Sequence, residues 1–224
     1  LSAARARPPG DRLDDDHATR ARQRQANGHA LALFDERVGH HEQAAFRQVF
    51  GASIGRSIRR HDANRRDERG ARELAARCDV VFLVVTGSPQ VEAVLTGADG
   101  VLQGLRPGSI VIDCSTAIPS STQRMARAVQ AAGSRFLDAP MTRTPKEAAE
   151  GRLNLLVGGD AALLGECEPL LRCFAENITH AGPIGAGHGM KLLHNFVSLG
   201  MVTLIAEAAA CAQLHGVTPE VFVD

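Results

Sequence analysis

Asp79-Val-Val-Phe-Leu-Val-Val85 limits the fold of this chain more than any other stretch. Beyond Asp79 it is a continuous apolar run, with no polar position to face water. Such a run is typical of a strand buried on both faces of a parallel sheet, because a half-exposed strand would alternate. A sheet covered on both faces needs helices between its strands.

From Ala71 onward the sequence supplies them. Thr86-Gly-Ser-Pro89 reads as a loop and Gln90 to Leu95 as a short helix. Ser109-Ile-Val-Ile-Asp113 is the next strand. Pro119 suits the first turn of a helix that runs to about Ala132 and stops at Gly133. Arg135–Asp138, Leu153–Val157 and Asn177–His180 read as strands, and Asp160 as the N-cap of a helix through Phe174. A long helix from about Gly189 ends at His215, with Gly216 just past it. The alternation predicts an α/β layer structure with a mostly parallel sheet.

Residues 1–72 differ in kind. They are rich in Arg, Asp, Gln and His and poor in apolar periodicity. Arg56-Ser-Ile-Arg-Arg-His-Asp-Ala-Asn-Arg-Arg-Asp67 reads as disorder or loosely formed helix. One island, Gly28-His-Ala-Leu-Ala-Leu-Phe-Asp35, alternates and ends on an acid as a short strand would.

In parallel sheets ligands bind at the carboxyl ends of the strands. Polar clusters fall at that edge: Thr86-Gly-Ser88, Cys114-Ser-Thr116 and Ala139-Pro-Met-Thr-Arg-Thr144. Each alone is compatible with ordinary turn chemistry. Ser115 and Thr116 offer two hydroxyls for a small acid or a cofactor. Thr142-Arg143-Thr144 joins a guanidinium to two hydroxyls and suits a carboxylate, phosphate or sulfonate. The long helix carries Lys191, His194 and Asn195 at i, i+3 and i+4, so the three share one face. A lysine so placed serves as an acid–base group when burial or neighbouring charge tunes it, and is otherwise a solvated side chain.

Composition excludes several other functions. Net charge is zero and the sequence pI is 7.3, which argues against a polyanion binder. Trp and Tyr are absent, which disfavours aromatic base-stacking platforms. Five cysteines without a CxxC pair point to free thiols in a reducing compartment. The charged first twenty residues are unlike a secretory leader, so a cytoplasmic protein is expected. The apolar run Phe196 to Ala206 is about 11 residues, short of the roughly 20 that span a bilayer. It predicts a buried or interface helix and no membrane partner. No HxxxH or HExxH occurs, and no metal site is expected.

With these pieces assembled, residues 71–224 resemble the β-hydroxyacid dehydrogenase family, the group of 3-hydroxyisobutyrate dehydrogenase. Asp113-Cys-Ser-Thr-Ala-Ile-Pro119 resembles its D-x-S-T-x-x-P. Phe136-Leu-Asp-Ala-Pro140, Ala149-Glu-Gly-Arg-Leu153 and Val157-Gly-Gly159 resemble its substrate segment. Gly185-Ala-Gly187, Lys191 and Asn195 match G-x-G-x-x-x-K-x-x-x-N, and Gly28–Asp35 resembles the second Rossmann strand. The resemblance implies a Rossmann-like NAD-binding domain over residues 1–182 and, over 183–224, the start of a truncated all-helical domain with its long first helix. It implies Lys191 as the catalytic acid–base group and Asn195 as the residue that orients substrate. Ser115 would bind substrate, Thr116 would lie beside the nicotinamide, and Val85 and Thr86 would line the dinucleotide. Asp35 would hold the adenosine ribose and favour NAD over NADP, since it repels a 2′-phosphate. A homo-oligomer would form with the helical domain complete.

Two departures from the family pattern stand out. Thr142-Arg143-Thr144 replaces S-G-G and resembles the sulfolactaldehyde reductase branch, which implies a small substrate with a strongly anionic tail. Residues 1–70 hold no G-x-G-x-x-G, the loop whose backbone meets the pyrophosphate. The implied activity is hydride transfer between a small 3-hydroxy acid or hydroxy-sulfonate and its semialdehyde, and the missing loop counts against activity of the chain as it stands. The alternative is a non-catalytic interaction protein that retains the scaffold. An Arg-rich nucleic-acid arm ranks lower, because acids interleave the arginines.

Overall fold

The computed structural model describes the backbone of residues 30–34 and 59–62 and the whole of residues 70–224. Among them are eight strands: β1 Ala30–Phe34, β2 Arg59–Asp62, β3 Val80–Val84, β4 Ile110–Asp113, β5 Arg135–Asp138, β6 Met141–Thr142, β7 Leu153–Gly158 and β8 Ala175–Gly182. The helices are α1 Ala71–Ala75, α2 Ser88–Thr96, α3 Pro119–Ala131, α4 Pro145–Ala149, α5 Ala161–Leu171, α6 Ala186–Leu214 and α7 Pro219–Val223. The eight strands belong to one sheet in the order β2-β1-β3-β4-β5-β7-β6, with β8 on β7. The strands from β2 to β5 pair in parallel, as do β7 and β8, while β5 and β6 both meet β7 antiparallel. The expected Rossmann-like, mostly parallel sheet is what forms.

The apolar runs do what a doubly covered sheet demands. Along β3 and the residue after it, Val81, Leu83 and Val85 enter one core, and Phe82 and Val84 enter the other. Ile110 and Ile112 oppose Val111 in the same way, and Leu137 opposes Phe136. Alternate side chains of a strand leave opposite faces, so both faces fill only if every position is apolar. The first core is closed by Leu163, Leu164, Cys167, Leu170 and Leu171 of α5, and by Phe174, whose ring meets Phe82 edge-on at 5.9 Å. The second is closed by Leu74, Val91, Leu95, Met125 and Val129 from α1, α2 and α3.

Three expectations are corrected. Residues 59–62, read as disorder or loose helix, form β2 and pair in parallel with β1. An edge strand needs only backbone partners, so the polar stretch Arg-Arg-His-Asp offers no apolar pattern to read, and charge suits an edge. The strand read as the second of the Rossmann unit, β1, pairs directly with β3. In the usual order 3-2-1-4-5-6 that neighbour is the first strand. The long helix, expected to be buried or at an interface and too short in its apolar run to span a bilayer, is not buried by the described residues. Past His188 it exposes Leu193, Phe196, Leu199, Val202 and Leu204, each more than half accessible. By length and composition alone it is long and apolar enough to cross a membrane. Its first turn, however, is buried in the α/β body at Gly187 and His188.

Phe82 is fully buried at the contact between β3 and the first core. Phe82→Ala is expected to lower stability by about 3–5 kcal/mol, because the lost burial is compounded by the cavity left behind. The shift in urea midpoint at constant slope measures it.

Candidate active site

β4 and β5 run parallel and in register, so Asp113 and Asp138 stand side by side at their carboxyl ends. Both are fully buried. Asp138 faces the start of α6. Its Oδ1 accepts the Gly185 N–H at 2.7 Å and its Oδ2 accepts the His188 N–H at 2.9 Å. These are N–H groups that a helix start leaves without intrahelical partners, and the helix dipole favours an acid there. The N-cap, Gly185, has no side chain to do this itself and sits at φ +92°, where a side chain is strained. The cap is therefore supplied across the sheet by Asp138.

The fit is close enough to explain the glycines. A Cβ on Gly158 would lie 2.5 Å from Asp138 Oδ1, and one on Gly187 would lie 2.8 Å from Oδ2 and collide with the Leu156 carbonyl. Val157-Gly-Gly159 and Gly185-Ala-Gly187 thus let backbone approach the carboxylate.

Asp113 is held differently. Its Oδ1 accepts the Ser115 N–H at 3.0 Å, while Oδ2 is buried without a hydrogen-bond partner among the described residues. Burial raises its pKa above the ordinary value of 3.8, opposed by His188 and by hydrogen bonds from Ser115, with Asp138 adding to the rise. Ser115 Oγ accepts the Val85 N–H at 3.0 Å, and Ser88 Oγ accepts the Ile118 N–H at 2.8 Å. The loops after β3 and β4 are thereby stitched together. The His188 ring is fully enclosed, with Nδ1 2.8 Å from Thr122 Oγ1 and Nε2 3.0 Å from the Ser115 carbonyl.

The residues singled out in the sequence divide into three groups. Val85 and Ser115 meet at the strand ends, both buried, and Thr86 and Thr116 reach solvent beside them. Lys191 and Asn195 lie half-buried on α6, with Asn195 Oδ1 3.5 Å from His194 Nδ1. Thr142, Arg143 and Thr144 lie on β6 and the turn into α4. Thr142 is buried, and Thr144 caps α4 in a reciprocal box with Glu147. Arg143, at φ +84°, pairs with Glu176 and donates to the Arg152 carbonyl at 2.7 Å. With Thr144, Glu147, Arg152 and Glu176 it lines a depression of 490 Å³ that includes none of Ser115, Lys191 and Asn195. Asp35 lies outside the described residues. Sequence reasoning missed the roles of Asp113, Asp138 and His188. The available signal was an acid ending two successive strands, and a histidine three residues before the lysine.

Residues 20–182 match the family model described as the NAD binding domain of 6-phosphogluconate dehydrogenase. The chain is 35% identical over 156 residues to the NAD-dependent L-serine dehydrogenase of Pseudomonas aeruginosa, covering 70% of this chain and 52% of that protein. It is 34% identical over 149 residues to the 2-hydroxy-3-oxopropionate reductase of Escherichia coli, covering 66% and 51%. The chain spans about half the length of the curated relatives it matches. Among solved structures, the 3-hydroxyisobutyrate dehydrogenase of Mycobacterium tuberculosis with L-serine is similar at a TM-score of 0.70 and 25% identity, over 87% of this chain and 68% of that one.

A carboxyl whose folded pKa is raised binds its proton more tightly in the native state. Between 3.8 and the raised value, stability therefore falls as pH rises. Asp113→Asn removes that contribution, so the stability of the parent relative to the variant is expected to decline with rising pH across this window. Urea unfolding of both proteins over a pH series measures it.

Proposed function

The chain belongs to the family of the NAD binding domain of 6-phosphogluconate dehydrogenase, among the β-hydroxyacid dehydrogenases, and on that premise we propose that it transfers hydride between a small 3-hydroxy acid and its semialdehyde. The cofactor of this family is NAD, which supplies the hydride chemistry when bound. The strand edge suits it. Thr86 and Thr116 offer hydroxyls there, and Ile118, 59% exposed, offers an apolar surface for a flat ring. We assign residues up to 182 to cofactor binding and residues 183–224 to the start of a helical domain.

One observation carries the reading: Asp138 clamps the first turn of α6 to the strand ends, and Lys191 lies one turn further along that helix. In its neutral form Lys191 Nζ takes the proton of the substrate hydroxyl, and as an ammonium it returns the proton to the carbonyl oxygen. Asn195, one turn on, orients the substrate. Ser115 shapes the loop on which the acid rests. Thr142, Arg143 and Thr144 meet an anionic tail, for which the Arg143 guanidinium exchanges Glu176. The names of the relatives support the substrate class, since serine and 2-hydroxy-3-oxopropionate are small hydroxy acids or their oxo partners.

NAD titration by calorimetry tests the cofactor, and heat no greater than dilution would overturn it. Lys191→Met is expected to lower kcat by about 10²–10⁴-fold while leaving NAD affinity unchanged. Arg143→Ala is expected to raise KM for carboxylate- or sulfonate-tailed substrates by roughly tenfold, about 1.4 kcal/mol. An unchanged KM for all of them would assign Arg143 to the turn alone.

A further inference from the structure

His188 has no part in the reaction as described so far, yet it joins three elements beside the site, β5, α3 and the loop after β4, to α6. Its backbone N–H is held by Asp138 at the end of β5. Its Nδ1 meets Thr122 of α3, and its Nε2 meets the carbonyl of Ser115 in the loop after β4. A carbonyl only accepts, so Nε2 carries the hydrogen and donates it. His188, Lys191 and Asn195 follow at i, i+3 and i+7, which places them on one side of α6.

We propose that His188 is a positioning residue: its Nε2–H bond to the Ser115 carbonyl fixes the Ser115 loop against the helix turn that presents Lys191. The proposal rests on the reading of Lys191 as the proton-transfer group. An apolar side chain could fill the same enclosed space without burying two ring nitrogens, each of which must then find a partner. What the imidazole adds is direction. An apolar contact lets a loop and a helix slide past one another, whereas a hydrogen bond sets a length and an angle. The geometry matters because a misplacement of about 1 Å near a reacting centre costs on the order of 10²-fold in rate. The Asp138 clamp alone fixes the helix to β5. It leaves the loop after β4, where Ser115 and Thr116 sit, to be held from α6 by this ring.

The test compares His188→Gln, His188→Asn and His188→Leu in the full chain. Gln reaches with an amide N–H to the place of Nε2, while Asn reaches only to that of Nδ1. For Asn and Leu we expect kcat to fall about tenfold or more, with KM and NAD affinity within about twofold of the parent. The rate at which Lys191 reacts with an amine-selective reagent, read by peptide mass spectrometry, should change in the same variants. Gln should bring both readouts back near the parent. If the Leu variant does not fold, the comparison of Gln with Asn decides. The proposal is overturned if folded variants keep the parent kcat and Lys191 reactivity, or if Gln behaves like Asn at equal melting temperature. A parent chain without turnover would instead count against the functional reading. The Lys191 reactivity series would still decide the role of His188, and an equal rate in all variants would overturn it.

Discussion

The grip of Asp138 on the first turn of α6 is the contact on which the rest of the site depends. A helix start leaves several N–H groups without intrahelical acceptors, and burying them unpaired would be costly. Here Gly185 and His188 give theirs to a carboxylate that is itself fully buried. Each side solves the other's problem: the acid gains donors in an apolar surround, and the helix gains a cap that its own N-cap glycine cannot provide. A hydrogen bond to a charged group typically contributes about 1.5–3 kcal/mol. Because the acid ends β5, the geometry of the sheet is passed directly to the helix that carries Lys191.

This explains why the glycine motifs lie where they do. Gly158 ends β7 and Gly187 opens α6, and a methyl group on either would strike Asp138 or the Leu156 carbonyl. The two motifs are far apart in sequence and serve one contact. Asp113 on the neighbouring strand repeats the theme at smaller scale, turning the backbone at Ser115 so that its Oγ reaches the N–H of Val85. The hydroxyl read as a substrate ligand thus holds two loops together. Arg143 is likewise engaged, by Glu176, so an anion that binds it must displace a carboxylate.

Much of the sheet was legible because its strands are buried on both faces. Val80–Val84 and Ile110–Asp113 are apolar at almost every position, and a pattern that strong admits few alternatives. Proline at the start of α3 and Asp160 at the start of α5 marked helix ends by chemistry that is local in sequence. Arg59–Asp62 was not legible, since pairing along an edge is made by backbone and leaves no trace in side-chain polarity. Nor was the exposure of α6. Its apolar residues predict a partner surface, while whether anything in this chain covers them depends on where the helix points after its first turn.

By itself the sequence determined the layered α/β order, the place of the polar clusters at one edge of the sheet, and the spacing that puts Lys191 and Asn195 on one helix face. Those follow from periodicity, which acts between near neighbours. Only the tertiary structure decided that Asp138 caps a helix beginning at Gly185, that His188 reaches back to Ser115, and that Arg143 is paired with Glu176. Each joins residues 33 to 73 positions apart. Such contacts are set by how strands register and helices dock, and no local pattern encodes them.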